Sequence, residues 1–262
     1  MNADSVEKPS SELRTAIAIF VKTPGLSSLK SRLARTLGQE DAETFYRYSC
    51  QATADSCRLA GEQVSGTDIF WAVAEEEALY ESIWQEFPRI FQGSGSLGSR
   101  LASVHTQLQA DFDRLIFLGG DCPQLSPLVL ADIIRQLRTE PGYVVGPASD
   151  GGFWLWGGPG KHSAVSFWQR VPYSQSSTRS HLVKELRNMG RVRLGAEYRD
   201  VDTIEDLQSL ATHLLSRNDL TVSQQTLQQW IRLSLPELFS YPPTDLLQKT
   251  KPSHSACRSL HS

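Results

Sequence analysis

The chain has 262 residues, of which 40% are hydrophobic, and it carries a formal net charge of −3. This length and composition suffice for one α/β domain with a substantial core. The slightly acidic balance, without a clustered Lys/Arg stripe, argues against a general nucleic-acid-binding protein. No signal region or membrane-length apolar run is visible, and the four cysteines lack zinc-site spacing. The sequence therefore predicts a cytoplasmic protein with free thiols and no membrane segment.

Apolar runs alternate with segments of helical pattern along most of the chain. The runs predict buried strands at residues 16–21, 67–73, 115–118 and 144–146. Helices are expected at residues 41–60, 75–87, 126–139, 178–189 and 204–216. Such alternation is typical of a parallel sheet covered on both faces, so we predict a three-layer α/β/α domain with a mostly parallel sheet over residues 16–216. Residues 1–15 are expected to be a disordered arm, and residues 217–262 a helical extension with a disordered tail.

A basic segment follows the first predicted strand. Lys22 stands at the end of the strand, and a Pro-Gly turn comes next. Ser27 or Ser28 is expected to cap a short helix, which carries Lys30 and Arg32. Because α/β folds hold phosphates at this edge of the sheet, Lys22, Lys30 and Arg32 are predicted to bind a nucleotide. The segment lacks the GxxxxGK[ST] pattern of a P-loop, and solvated surface charges are the alternative interpretation.

A loop rich in Gly and Ser, residues 93–98, precedes another predicted helix that reaches about residue 111. Glycine allows close approach of the backbone to a ligand, so Gly98 is predicted to lie against the nucleotide. A plain flexible connection between two elements is the alternative interpretation of the same loop.

Asp121 follows the buried run at residues 115–118 and two glycines. In open α/β sheets, ligands bind at the carboxyl ends of the strands, and Gly119 and Gly120 let the backbone turn sharply there. A carboxylate fixed at this place suits Mg²⁺ or Mn²⁺ bridging to a diphosphate. Asp121 is therefore predicted to be a metal ligand, and capping of its own turn is the alternative.

Two further acidic positions follow predicted strands. Asp150 begins an Asp-Gly-Gly turn between two strands, which places it at the mouth of the same crevice. Asp202 precedes Thr203, which with Asp206 matches a capping box at the start of the last helix of the domain. Asp202 is predicted to be the second metal ligand. The alternative interpretation is that it only stabilises the N-terminus of the helix, where acidic residues are favoured.

Four strings occur in order: VKTPG followed by LKSRLA, then GGDCPQLSP, then GPASDGGFWLWG, and finally RDVDTIEDL. They resemble the bacterial CofC-like glycosyltransferase family that is often described as arsenosugar-biosynthesis glycosyltransferases. This family belongs to the nucleotide-diphospho-sugar transferase superfamily, which has the GT-A fold. The resemblance covers about residues 16–215 and excludes the C-terminal extension.

The resemblance implies a sugar-nucleotide donor, a small-molecule acceptor and a divalent cation. Lys30, Arg32 and the turn that carries Asp121 match the donor side of the family pattern, and Asp150 becomes the candidate general base on an acceptor hydroxyl. The chain departs from the pattern at Ser96 and Ser149, where the family commonly has acidic residues. These departures concern the acceptor side more than the donor side.

Three functions remain open from the sequence. The leading hypothesis is a metal-assisted glycosyltransferase that uses a nucleotide-diphosphate sugar. The second is a nucleotidyltransferase of the guanylyltransferase type, acting on a phosphorylated acceptor. It would require a glycine-rich first loop, whereas residues 22–30 contain only Gly25. The third is a catalytically degenerate binding module, for which the serines at positions 96 and 149 are the best support.

Overall fold

The computed structural model describes residues 13–239 and contains one seven-stranded sheet of order β3-β2-β1-β4-β6-β5-β7. The strands are β1 (Thr15–Val21), β2 (Thr67–Val73), β3 (Arg89–Phe91), β4 (Arg114–Gly119), β5 (Tyr143–Pro147), β6 (Phe153–Pro159) and β7 (Val192–Leu194). All neighbours pair in parallel except β6, which is antiparallel to both β4 and β5. The predicted mostly parallel sheet is confirmed, and the four runs predicted as interior strands each have neighbours on both sides.

Seven α-helices surround or extend this sheet within the described residues. They are α1 (Ser31–Leu37), α2 (Gln39–Gln63), α3 (Leu97–Leu108), α4 (Pro127–Thr139), α5 (Thr178–Arg187), α6 (Ile204–Leu215) and α7 (Val222–Ser234). Short 3-10 turns lie at Glu76–Tyr80, Ser82–Trp84, Ser166–Arg170 and Pro236–Phe239. Within residues 13–239, none of the helices is both long and apolar enough to cross a bilayer.

The alternation of side chains along β1 divides the core into two layers. Ile17 and Ile19 pack with α2 and α4 on one face, whereas Ala16 and Ala18 pack with α3 and α5 on the other. This is the period of two that a strand imposes on its side chains. The predicted three-layer α/β/α architecture is therefore confirmed.

A third apolar cluster lies outside the sheet and joins α1, α2, α6 and α7. Phe45 of α2 and Ile231 of α7 are both fully buried in it. Helix α7 thus packs against the body of the fold. The predicted disordered arm falls outside the described residues up to position 12, and the predicted tail falls outside them from position 240 onward.

The single helix predicted at residues 75–87 is wrong, because this segment forms two short 3-10 turns. Ala78 and Trp84 are both buried, and a straight helix would place them about 120° apart around its axis. Trp84 instead turns inward, packs on Trp71 with ring centroids 5.0 Å apart, and donates from Nε1 to the Thr23 hydroxyl. Tertiary packing of one tryptophan thus outweighs the local helical pattern.

The predicted capping of the first helix by Ser27 or Ser28 is also wrong. Helix α1 begins at Ser31, and the residue before it, Lys30, has a left-handed backbone with φ of 44°. This conformation is rare for a residue with a side chain and is often found at functional sites. Cys50, Cys57 and Cys122 are buried free thiols, as predicted, and Cys257 lies outside the described residues.

Candidate active site

Three hydrogen bonds to the side chains of Tyr46 and Glu75 hold the loop after β1. The backbone N–H of Lys22 donates to the Tyr46 hydroxyl at 2.9 Å, and the N–H of Thr23 donates to Glu75 Oε2 at 2.9 Å. The Ser27 hydroxyl also donates to the Glu75 carboxylate. Glu75 therefore anchors the loop, a role that the helix predicted at residues 75–87 did not indicate.

Lys30, Asp121 and Asp202 meet at the carboxyl edge of the sheet. Lys30 Nζ lies 2.7 Å from Asp121 Oδ2 and 3.5 Å from Asp202 Oδ1, and the Lys30 side chain is only 5% exposed. The turn that carries Asp121 is tight, because a Cβ on Gly120 would lie 2.6 Å from the Val21 side chain. The structure thus brings together three residues that lie up to 172 positions apart in the sequence.

The charges in this cluster shift one another. The ammonium of Lys30 lowers the pKa of Asp121 and outweighs burial, which acts in the opposite direction. Burial alone would lower the pKa of Lys30, but the carboxylates of Asp121, Asp202 and Asp200 raise it above its usual value. Both members of the pair therefore stay charged across the neutral pH range.

Asp200 is a further member of the cluster that sequence reasoning did not assign to the site. Burial and the neighbouring carboxylates of Asp121 and Asp150 raise its pKa to about 7. Its position two residues before Asp202 is the only signal of this role in the sequence. Four carboxylates consequently share one neighbourhood with the buried ammonium of Lys30, and this excess of negative charge would be relieved by a cation.

The carboxylates present suit a cation that is completed by a substrate. Within residues 13–239, no group of three or more His, Cys, Asp or Glu side chains is arranged to hold a metal ion. Mg²⁺, however, typically takes one or two carboxylates together with substrate phosphates and water. The convergence of Asp121 and Asp202 fits that pattern, and the oxygen-only donor set suits Mg²⁺ or Mn²⁺.

A cavity of about 570 Å³ opens on this cluster, and we call it the basic cavity. It is lined by Phe20, Val21, Lys22, Ser27, Ser28, Leu29, Lys30, Tyr46, Gln92, Gly95, Leu97, Arg100, Asp121 and Asp202. Three cationic side chains thus face two carboxylates. Arg100 was not predicted as a site residue, because a lone arginine inside a helix gives no signal in the sequence.

A second cavity of about 560 Å³ adjoins the first, and we call it the aromatic cavity. It is lined by Phe20, Arg32, Leu97, Leu101, Phe117, Leu118, Gly119, Asp150, Gly152, Phe153, Trp154, Tyr173, Ser174, Gln175, Ser176, Thr178 and Asp202. Phe20, Leu97 and Asp202 line both cavities. The predicted residues are therefore divided between two adjoining spaces, with Lys22, Lys30 and Asp121 in the basic cavity and Arg32 and Asp150 in the aromatic one.

The Asp-Gly-Gly turn forms one wall of the aromatic cavity. Asp150 Oδ1 accepts a hydrogen bond of 2.7 Å from the Gly152 N–H, which uses one of its two carboxylate oxygens. The carbonyl of Gly151 accepts from the Arg179 N–H at 2.9 Å. The adjacent part of this wall, around Ser174, has a left-handed backbone with φ of 59°. The turn and the start of α5 are thus fixed to each other.

Gly151→Ala is expected to lower the free energy of unfolding by about 3 kcal/mol. The added Cβ would lie 2.0 Å from the Ser176 carbonyl oxygen, and the residue has φ of 89°. Gly25→Ala is the matched control, since Gly25 has φ of 86° but nothing lies within 4 Å of a Cβ added there. Its expected loss is about 1 kcal/mol. Urea unfolding of both variants measures the difference, and equal losses would contradict the close approach of the Ser176 backbone to Gly151.

Gly98 is the one predicted site residue that lines neither cavity. It is buried in the first turn of α3, where a Cβ would lie 2.6 Å from the Trp168 carbonyl oxygen and 2.9 Å from the Tyr173 ring. Close packing of α3 against this segment already requires a glycine. The nucleotide contact of Gly98 stays a prediction, and the packing of α3 is a separate reason for a glycine at position 98.

Comparison with known proteins identifies a matching family model and the fold that carries this geometry. A family model described as an uncharacterized protein conserved in bacteria (DUF2064) matches residues 53–175. A proposed nucleotide-diphospho-sugar transferase from Desulfovibrio desulfuricans G20 superimposes with a TM-score of 0.73 at 20% identity, over 86% of this chain and 97% of that one. The chain has the nucleotide-diphospho-sugar transferase fold.

A second solved structure shares this fold with lower similarity. The 4-diphosphocytidyl-2C-methyl-D-erythritol synthase from Anaerococcus prevotii matches with a TM-score of 0.51 at 13% identity, over 79% of this chain and 97% of that one. No curated protein matches the chain in sequence. The two solved structures share the fold and carry different names, and a fold alone does not determine a reaction.

Proposed function

We propose that the chain is a transferase that moves a sugar from a nucleotide-diphosphate donor to a small, uncharged acceptor. The observation that carries this proposal is the difference between the two adjoining cavities. The basic cavity is lined by Lys22, Lys30 and Arg100, whereas Arg32 is the only cationic side chain that lines the aromatic cavity among the described residues. We also propose that the chain is a CofC-like glycosyltransferase and that it is located in the cytoplasm.

The basic cavity suits a nucleoside diphosphate. Lys22 provides an ammonium group directly after β1, Lys30 provides another directly before α1, and Arg100 adds a guanidinium from α3. Charge-assisted contacts of this kind are the strong ones for phosphate oxygens. Asp121 and Asp202 would hold Mg²⁺ or Mn²⁺ on the diphosphate, and that ion would stabilise the negative charge of the leaving group.

The aromatic cavity suits an uncharged acceptor. Arg32 is 71% exposed and lies 3.7 Å from Asp202, so solvent screens its charge much more than that of the buried Lys30. Asp150 and Asp202 would repel an anionic acceptor, while Phe20, Phe153 and the other rings offer apolar faces. A nucleotidyltransferase acting on a phosphorylated acceptor would require a basic second cavity. The charges present therefore support sugar transfer over nucleotidyl transfer.

The reaction proceeds at the junction of the two cavities. An acceptor hydroxyl gives its proton to the Asp150 carboxylate, and the hydroxyl oxygen forms a bond to the anomeric carbon of the donor sugar. The bond between that carbon and the β-phosphate oxygen breaks, and the electron pair leaves with the nucleoside diphosphate. Lys30 and Lys22 stabilise the charge that develops on the departing diphosphate.

Asp150→Asn is expected to lower kcat for sugar transfer about 100-fold or more, while donor affinity changes less than about twofold. The reason is that asparagine keeps the hydrogen bond from Gly152 but accepts no proton. Transfer to a panel of neutral polyols and aromatic alcohols measures the rate, and calorimetry with the donor measures affinity. An unchanged rate would remove Asp150 from the role of base, and transfer only to phosphorylated acceptors would favour nucleotidyl transfer.

A further inference from the structure

A buried glutamine of the C-terminal helix lies beneath the turn that follows Asp121. Gln224 of α7 is 0% exposed, and its Nε2 donates to the carbonyl of Pro123 at 2.8 Å and to that of Leu125 at 2.9 Å. Its Oε1 accepts from the Thr221 N–H at 3.0 Å and so completes the capping box of α7. One side chain thus joins the start of α7 to the turn.

The carbonyls of this turn depend largely on the C-terminal extension. Arg217 Nη1 donates to the carbonyl of Gln124 at 3.0 Å, between the two carbonyls that Gln224 binds. Three successive buried carbonyls, at positions 123–125, therefore accept from residues 217 and 224, and Ser56 of α2 adds a second donor to Leu125. A buried carbonyl without a donor is destabilising. These donors therefore help to hold the turn in its conformation.

The same network reaches the other acidic loop of the site. Gln124 Nε2 donates to the carbonyl of Arg199 at 3.0 Å, and Arg199 directly precedes the segment that contains Asp200 and Asp202. Directly after Asp121, the Cys122 N–H donates to the Thr53 hydroxyl of α2 at 3.2 Å. The backbone on both sides of the Lys30 cluster is thus held by hydrogen bonds that connect it to α2 and α7.

We propose that Gln224 is a positioning residue for Asp121, and that the C-terminal extension is thereby part of the nucleotide site. Gln224 lines neither cavity, so its effect passes through the Asp121 turn. The inference rests on the proposed function, because its first test measures the affinity for a sugar nucleotide. It assigns a role to a segment that lies outside the matched residues 53–175.

The experiment compares substitutions on one helix. Gln224→Met keeps the volume and removes the donor, and Gln224→Glu keeps an acceptor for the Thr221 cap but offers no donor to the turn. Ile231→Ala is the matched control, because Ile231 is also 0% exposed on α7 and packs in the outer apolar cluster. All are measured well below their unfolding temperatures, with calorimetric titration of UDP-, GDP- and dTDP-sugars in Mn²⁺.

We expect both Gln224 variants to weaken binding of the recognised sugar nucleotide about tenfold, and Ile231→Ala to leave it unchanged despite a lower unfolding temperature. In an Asp121→Asn background, Gln224→Met should add no further loss, because its effect acts through the Asp121 carboxylate. Unchanged affinity in the Gln224 variants, equal losses in Ile231→Ala, or full additivity with Asp121→Asn would each overturn the inference.

Hydrogen exchange tests the positioning without any ligand. Under conditions in which exchange proceeds through local opening, the Cys122 amide should exchange about tenfold faster in Gln224→Met than in wild type. Ile231→Ala should leave this exchange rate unchanged. Equal exchange at Cys122 in all three proteins would overturn the inference by itself. Failure of the wild type to bind any sugar nucleotide, with exchange altered as expected, would instead refute the proposed function alone.

Discussion

Asp121→Asn is expected to lower metal-dependent affinity for a nucleoside diphosphate by about 2–3 kcal/mol, or about 30- to 150-fold. Asparagine preserves the shape of the side chain and removes the charge that would hold Mg²⁺ or Mn²⁺ on the diphosphate. Calorimetry in Mn²⁺ and in EDTA measures the effect, and affinity in EDTA should change much less than affinity in Mn²⁺.

The control for this substitution is Asp132→Asn. Asp132 forms an exposed pair with Arg135 on α4, so the same chemical change there should leave binding unaltered. If wild type and Asp121→Asn show the same difference between Mn²⁺ and EDTA, Asp121 plays no part in a metal-dependent site.

Asp121→Asn is also expected to lower the free energy of unfolding at pH 7, by about 1–3 kcal/mol. The loss is moderate because Asp121 is 37% exposed, although its partner Lys30 is nearly buried. The pKa of Asp121 is lowered in the folded state, so the stability it provides is present above the ordinary carboxyl pKa of about 4. It is lost as pH falls through the folded value. The difference between wild type and variant in urea unfolding should therefore shrink as the pH falls below about 4, and a constant difference would contradict the ion pair.

Lys30→Met is expected to have the second large effect. It removes the ammonium that both Asp121 and Asp202 contact, so it should weaken nucleoside diphosphate binding by about 1–3 kcal/mol and also lower stability at pH 7. Because the pKa of Lys30 is raised, its contribution to stability is fully present below about pH 10 and is lost as pH rises through the folded value. Calorimetry measures the binding, and urea unfolding between neutral and alkaline pH measures the stability.

Lys161→Met is the control for the lysine. Lys161 lies 3.2 Å from Asp113 at a more exposed position, so its removal should change neither quantity by more than about 0.5 kcal/mol. Binding that is unaltered in Lys30→Met would show that the buried ammonium serves the fold alone.

The sheet was predictable because β1, β4 and β5 are buried on both faces. Runs such as the one at residues 115–118 are continuous and apolar, and a strand buried on both faces accounts for a run of that length. The meeting of Lys30 and Asp121 also followed from topology, since both come after strands that pair in parallel. Rules about sheet edges therefore predicted the neighbourhood of the site before any side-chain geometry was known.

The contacts that hold the site were not predictable, because each depends on a partner distant in sequence. Glu75 reaches the first loop from about 50 positions away, and the Gln224 amide reaches a carbonyl 101 positions away. The sequence TVSQ indicates a capping box at the start of a helix. Nothing in it shows that the amide nitrogen of that glutamine faces another turn.

The left-handed backbone of Lys30 is a similar case. Its sequence context, two serines followed by a leucine, favours an earlier helix start. The side chain of Lys30 forms ion pairs with two carboxylates from distant parts of the chain, and such contacts can offset the cost of the left-handed backbone. Local propensity cannot include that contribution.

The most direct measurement is a calorimetric titration of the wild type with UDP-, GDP- and dTDP-sugars and with the corresponding nucleoside triphosphates, each with Mn²⁺ and with EDTA. We predict that one sugar nucleotide binds more tightly than every triphosphate, and that Mn²⁺ strengthens this binding through Asp121 and Asp202. Binding only of triphosphates, or of no nucleotide at all, would contradict the assignment of the basic cavity to a nucleotide-diphosphate sugar.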